Sequence, residues 1–201
     1  MTSGTAWAEA ARRTVKERRR RGFMGACGGA RKVGLGREGC KDACVTERAG
    51  GRVGVVELNF YDHQDEVRLE VGRIEAVVRA ALPLVLAMEG GGEPVLGGLG
   101  EVEVNFVDDA TIARVHGEFL NDATPTDVIT FEHGEILVGA ETGARVAAEM
   151  GHAVSRECAL YAIHGLLHLQ GYDDREPEDF AEMKRVQERI LETVWPGGGG
   201  A

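Results

Sequence analysis

The sequence predicts an α+β fold, a small mixed β-sheet packed with helices, and three observations carry that expectation. Strand-like and helix-like stretches alternate too irregularly for a doubly wound sheet, the strand-like runs are too few for a sandwich, and three helical stretches in a row close the pattern. Taken in order, Val53, Val55, Val56, Leu58 and Phe60 form a short β-branched apolar run, which reads as a strand. Residues 70–88 then repeat Val71, Ile74, Val77, Val78, Ala81 and Leu82 at helical spacing, until Gly90, Gly91, Gly92 and Pro94 break the helix.

Val102, Val104 and Phe106 alternate with Glu101, Glu103 and Asn105, the period of two that a half-buried strand requires. Asp108 or Asp109 can cap a following helix with Ile112, Val115 and Phe119 on its apolar positions. Beyond Pro125, the runs Asp127-Val128-Ile129-Thr130-Phe131 and Glu135-Ile136-Leu137-Val138 meet at a turn around His133-Gly134, which predicts a β-hairpin. Helices are expected near 143–150 and over about 155–170, separated by Gly151-His152. A last helix opens at Pro177, a residue suited to the first turn, with Phe180, Met183, Val186, Ile190 and Val194 on one face.

The 201 residues carry a formal net charge of −10, and that average hides a division. Residues 1–52 hold 13 Lys+Arg against 5 Asp+Glu, a balance of +8, so the remaining 149 residues carry −18. The first segment includes Lys16 and the run Arg18, Arg19, Arg20 and Arg21, followed by scattered glycines with hardly any apolar period. It is expected to be a disordered extension with no core of its own. It reads either as a dispensable stretch translated from an upstream start or as an arm that holds RNA by neutralising phosphates. Residues 53–196 are then the folded domain and residues 197–201 a flexible tail.

Composition excludes collagen-like, fully disordered and disulfide-scaffold classes. Four cysteines, Cys27, Cys40, Cys44 and Cys158, are too few for a disulfide framework and are expected reduced. No stretch is apolar for the roughly 18 residues a membrane-spanning helix needs, and the start lacks the apolar core of a secretory signal, so a soluble cytoplasmic protein is expected.

The chemistry concentrates in Ile163-His164-Gly165-Leu166-Leu167-His168-Leu169-Gln170-Gly171-Tyr172-Asp173-Asp174. Four residues apart on a helix, His164 and His168 present their imidazoles on one face, one turn from each other, where they can meet one metal ion. Gly171 can take the left-handed conformation that ends a helix and lets the chain double back with a third ligand. Asp174 is the candidate, with Asp173 as its rival, and capping of the next helix is another use for either carboxylate. Three protein ligands with a fourth position left for water is the pattern of catalytic zinc, and it sets a metal site at the end of a central helix. The bound ion would bring the pKa of that water toward neutrality. Gly165 stands where the H-E-x-x-H zinc peptidases have their glutamate base, which removes the main proton acceptor of that class.

The stretch 164–173 resembles the H-G-x-L-H-L-x-G-Y-D-H signature of the YbeY family of bacterial endoribonucleases. Pro125-Thr126-Asp127-Val128-Ile129-Thr130-Phe131 is similar to that family's P-T-D-V-L-S-F, and Gly134-Glu135-Ile136 to the G-D-I after it. The resemblance runs from about 53 to 195. It implies an α+β fold, one zinc ion (Zn2+) per chain, cleavage of single-stranded RNA, and a role in ribosomal RNA maturation, notably at the 3′ end of small-subunit RNA. Its partners would be ribosomal RNA and the ribosomal small subunit or assembly factors, with no membrane.

Two departures from the family accompany the match. The third zinc histidine falls at Asp174, so the expected metal set is His164, His168 and Asp174, one positive charge poorer than three histidines. A basic residue a few positions before P-T-D-V falls at Leu120, leaving Arg114 or His116 as substitutes. The general base is not assigned by the sequence. Glu135 and Asp127 are candidates because they sit at strand ends within the matched blocks, while bonding to nearby backbone amides is the plainer role for each. His133 and His152 have no special spacing and read as ordinary surface or break residues. Two other functions compete: a zinc hydrolase of peptides or small substrates, and a non-catalytic ribosome-assembly factor with a structural metal.

Overall fold

The structure is a computed structural model, and it describes residues 31–32 and 55–197. The remainder of the basic extension and the tail beyond 197 lie outside the described residues, as does the side chain of Leu120. The sheet comprises β1 (Arg31–Lys32), β2 (Glu57–Asp62), β3 (Glu101–Val107), β4 (Val128–Phe131) and β5 (Glu135–Gly139) in the order β1-β2-β3-β5-β4. β2, β3 and β5 run parallel, while β1 and β4 pair antiparallel with their neighbours. The helices are α1 (Val71–Leu86), α2 (Asp109–Leu120), α3 (Ala140–Met150), α4 (Val154–Leu169) and α5 (Pro177–Val194). This is the α+β arrangement with a mixed sheet that the pattern predicts.

Strand alternation sorts the core into two layers. Val102, Val104 and Phe106 of β3 and Ile136 and Val138 of β5 face the larger cluster, made with α1, α4 and α5. Val107 and Leu137 point the other way, and with Ile129 and Phe131 of β4 they meet Ile112 and Phe119 of α2. Helix α2 starts where Asp108 accepts a hydrogen bond from the Thr111 amide at 2.6 Å, the first-turn cap that the sequence offers.

Helix α4 runs through the middle of the larger layer. Cys158, Ala162, Ile163, Leu166 and Leu167 are all fully buried, and burial holds the Cys158 thiol up at about 12. Such a helix offers side chains to a groove only along the one stripe its neighbours leave open, which fixes where polar groups can stand.

Three local expectations shift. Strand β2 begins at Glu57, Val55 is exposed, and Val53 lies outside the described residues. Helix α3 begins at Ala140, directly after β5, because the Gly139 amide is held by the Asp127 carbonyl at 2.8 Å and the Glu141 carboxylate accepts the Asp109 amide at 2.7 Å. Phe180 does not join the apolar face of α5: Met183, Val186 and Ile190 are buried while Phe180 is 52 % exposed.

Candidate metal centre

The open stripe of α4 carries Glu157, Tyr161, His164 and His168, spaced by four, three and four residues, so all four share one helical face. The helix ends just past His168 with paired bonds, Tyr172 N–H to Leu167 O and Gly171 N–H to His168 O, both 3.0 Å, and Gly171 at φ +92°. A non-glycine residue there would be strained. The reversal is also clamped from outside. Gly92 N–H donates to Gly171 O at 2.9 Å, and Gly90 packs so closely that a Cβ on it would lie 2.5 Å from the Gly171 carbonyl carbon. The glycines that end α1 thus press the chain back, and Asp174 returns beside the histidines.

His164 Nε2 and His168 Nε2 lie 2.9 Å apart, with Asp174 Oδ2 at 3.6 Å from the first and 3.9 Å from the second. His164 Nδ1 donates to Gln187 Oε1 at 2.6 Å, and His168 Nδ1 donates to the Tyr172 carbonyl at 3.2 Å. With a proton committed on each Nδ1, both Nε2 lone pairs face the same point. Two lone pairs and a carboxylate at such distances repel unless a proton on His164 Nε2 or a metal ion sits among them. Ligands about 2.0–2.1 Å from a tetrahedral ion stand roughly 3.3 Å apart, close to the three distances here, so the donor set fits zinc. All three ligand atoms lie within 4.8 Å of one another, and among the described residues this is the group of His, Cys and carboxylate side chains that could hold an ion.

Protonation states suit the same role. Burial, and then the neighbouring His164, push His168 down to about 4, so it is a neutral donor near pH 7. Burial works against protonating His164 too, but its hydrogen bonds with Asp174 and Gln187 raise it on balance. The bond to His164 holds the Asp174 carboxyl below its ordinary range and so ionised. Metal ligands must give up their protons, and two of the three have done so.

The cluster opens into a groove of about 1710 Å3. Asp127 lines it, with Oδ1 accepting from the Val128 amide at 2.9 Å and the Thr126 hydroxyl at 3.0 Å. Glu135 does not reach the cluster; it pairs with His133 at 3.2 Å at the opposite end of β5. Asp173 turns toward Arg175 and accepts the Asp174 amide at 2.9 Å, a role distinct from that of its neighbour. His116 lines the groove, held by the Thr124 carbonyl at 2.9 Å, while Arg114 pairs with Glu118 on the exposed face of α2.

Sequence reading missed two features. His152 lies 3.2 Å from the buried Glu157, whose carboxyl is raised by that burial and bonded by Tyr161, so it is no ordinary surface or break residue. The four-three-four spacing along α4 is the signal that could have found Glu157 and Tyr161. Gln187 comes from a different helix, and nothing in the sequence ties it to His164. Because it fixes that ring's tautomer and orientation, Gln187→Leu is expected to weaken zinc binding by about 10- to 100-fold with the fold intact, read by competition with a chelator.

Gly165 explains why the helix cannot carry a peptidase glutamate. A Cβ there would stand 2.8 Å from Ile136 Cγ2 and 3.0 Å from Thr130 Oγ1, on the face that packs against the sheet. Gly165→Ala gains helix propensity of up to about 1 kcal/mol but overpacks this contact at about 1–3 kcal/mol. A net loss of roughly 1 kcal/mol is expected in urea unfolding, and a larger side chain should do worse.

Fold and site together define an α+β protein with a histidine, histidine and carboxylate cluster set in an open groove at the end of its central helix. The family model described as Endoribonuclease YbeY matches residues 59–194. Endoribonuclease YbeY of Protochlamydia amoebophila is 32% identical over 148 residues, which cover 68% of this chain and 92% of that relative. Endoribonuclease YbeY of Pelotomaculum thermopropionicum is 36% identical over 143 residues, 64% of this chain and 90% of its own. The solution structure of TM1509 from Thermotoga maritima is 26% identical, covering 70% of this chain and 89% of that one, with a TM-score of 0.47. The chain belongs to the YbeY family.

Proposed function

We propose that the chain is a zinc-dependent endoribonuclease that cuts single-stranded RNA in ribosomal RNA maturation, notably at the 3′ end of small-subunit RNA, working with the small subunit or its assembly factors. The observation that carries this reading is the convergence of His164 Nε2, His168 Nε2 and Asp174 Oδ2 with both Nδ1 atoms already bonded to oxygens. The name Endoribonuclease borne by its relatives supports RNA as the substrate. Residues 53–196 form the nuclease domain, with 1–52 and 197–201 outside it. No helix among the described residues is long and apolar enough to cross a membrane, in keeping with a cytoplasmic site of action.

In this reading His164, His168 and Asp174 hold one zinc ion. When bound, the ion lowers the pKa of water toward neutrality and polarises a phosphoryl oxygen. The chain supplies the rest. Gln187 and the Tyr172 carbonyl fix the two rings, so the donors are set before substrate arrives. Of the two carboxylates considered as base, Asp127 lines the groove and is kept as the proton acceptor; Glu135 is set aside. His116 also lines the groove and can donate a ring N–H toward a phosphate there, part of the work of the family's missing basic residue.

The test is to load the full-length protein with zinc and offer single-stranded RNA, a duplex of the same sequence, and a peptide library. Cuts confined to the single strand and abolished by chelation are the expected result. Peptide cleavage without RNA cuts, or stoichiometric zinc with neither activity, would overturn the reading in favour of a peptide hydrolase or a structural metal.

A further inference from the structure

The groove that holds the metal cluster is poorly built for binding phosphates. Its lining includes twelve Asp and Glu side chains against two fixed cations, Arg175 and Lys184. Arg175 is tied to Asp173, whereas Lys184 has no ion-pair partner among the described residues. Affinity for RNA that came from neutralising phosphates would need many cations here. A different source of binding is called for, and one that does not depend on charge.

Three large apolar side chains are exposed among the described residues, Val55, Met150 and Phe180, and two of them, Met150 and Phe180, line this groove. Phe180 stands out because its helix had a buried stripe to offer and the chain leaves it 52 % exposed. Phe180, Lys184 and Gln187 are spaced by four and three residues, so they share one face of α5, and all three line the groove. Gln187 holds His164. With a rise of about 1.5 Å per residue, Phe180 lies roughly 10 Å along the axis from Gln187, with Lys184 between them. One stripe therefore leads from an aromatic face, past a cation, to the side chain that orients a metal ligand.

Resting on the nuclease reading above, we infer that Phe180 is the platform on which a base of single-stranded RNA stacks when a nearby phosphodiester lies at the His164, His168 and Asp174 cluster, with Lys184 touching the intervening backbone. Every base has a π-face, so the contact is tolerant of sequence. A base inside a duplex has both faces covered by its neighbours and cannot use it. The same contact thus discriminates between strands as well as adding affinity, and it works in a groove whose field repels phosphate.

The experiment uses the full-length, zinc-loaded protein and an unstructured oligoribonucleotide, with wild type, Phe180→Ala, Phe180→Tyr and Lys184→Ala compared at about 50 and 300 mM salt. Phe180→Ala is expected to raise Kd and KM about tenfold or more with kcat within about twofold, the mark of lost uniform binding. Phe180→Tyr should keep near wild-type values, since a ring is restored. The Phe180→Ala loss should be the same at both salt concentrations, whereas the smaller loss in Lys184→Ala should fade at the higher one. Phe180 is half exposed, so its replacement leaves the core untouched. If wild type and Phe180→Ala cut the RNA with equal KM, or if the loss vanishes at high salt, the stacking inference is overturned and the nuclease reading stands. If wild type does not cut RNA at all, the nuclease reading falls and takes this inference with it.

Discussion

His168→Ala should lose bound zinc and RNA cleavage together, with cleavage falling by about three orders of magnitude or more, because without the ion nothing would bring the pKa of the attacking water down toward neutrality. The size of the effect follows from position. His168 supplies one of three donors, its Nε2 stands 2.9 Å from that of His164, and its Nδ1–H holds the Tyr172 carbonyl in the turn that returns Asp174. Truncation removes a ligand and loosens the segment carrying another. Alanine is favourable in a helix, and the ring lies at the groove rather than in the central layer, so the fold should survive. Metal content by elemental analysis, cleavage rate and the circular dichroism spectrum separate loss of the site from loss of the fold. A folded His168→Ala protein that cuts RNA at the wild-type rate would show that the cluster is not the reaction centre.

Much of this arrangement is legible in the sequence, for reasons that can be given residue by residue. His164 and His168 are forced onto one face by helical periodicity, Gly171 carries the φ +92° that ends α4, and Asp174 follows within the reach of that reversal. Those constraints are local, and a local reading finds them. The hairpin of β4 and β5 is legible for a similar reason, since Gly134 takes φ +100° and a Cβ there would lie 2.7 Å from the Glu101 carbonyl.

What escapes the sequence depends on contacts between distant segments. Gln187 bonds His164 across 23 residues, and Gly90 meets Gly171 across more than 80, yet no period or spacing connects either pair. Phe180 fails in the other direction. Its spacing from Met183 fits the apolar stripe, but it lies in the first turn of α5, where the helix runs out past the core and borders the groove. Periodicity tells which face a residue is on, not how far the core extends beneath it.

Asp174 carries the other large expectation, since it is where this chain departs from the three-histidine set that its motif resembles. Asp174→Ala should weaken zinc binding by about a hundredfold, the cost of one donor in a site with only three. Asp173→Ala should leave affinity within a few-fold, because Asp173 faces Arg175 and the Asp174 amide instead of the histidines. Asp174→His makes the sharper test. It exchanges a carboxylate for a neutral ring, so the loaded site gains one unit of positive charge. That change draws phosphate more strongly and favours ionisation of the attacking water. The low-pH limb of the cleavage profile should then move toward lower pH by about half a unit to one unit, and KM for RNA should fall. The sign follows from electrostatics: an ion held by three neutral rings would favour loss of a proton from water more than one held by two rings and a carboxylate, so activity would persist to lower pH. Zinc retained at full stoichiometry in Asp174→Ala, together with an unmoved profile in Asp174→His, would show that the carboxylate stands beside the ion without binding it. The chain would then have a two-histidine site that draws its third donor from somewhere else.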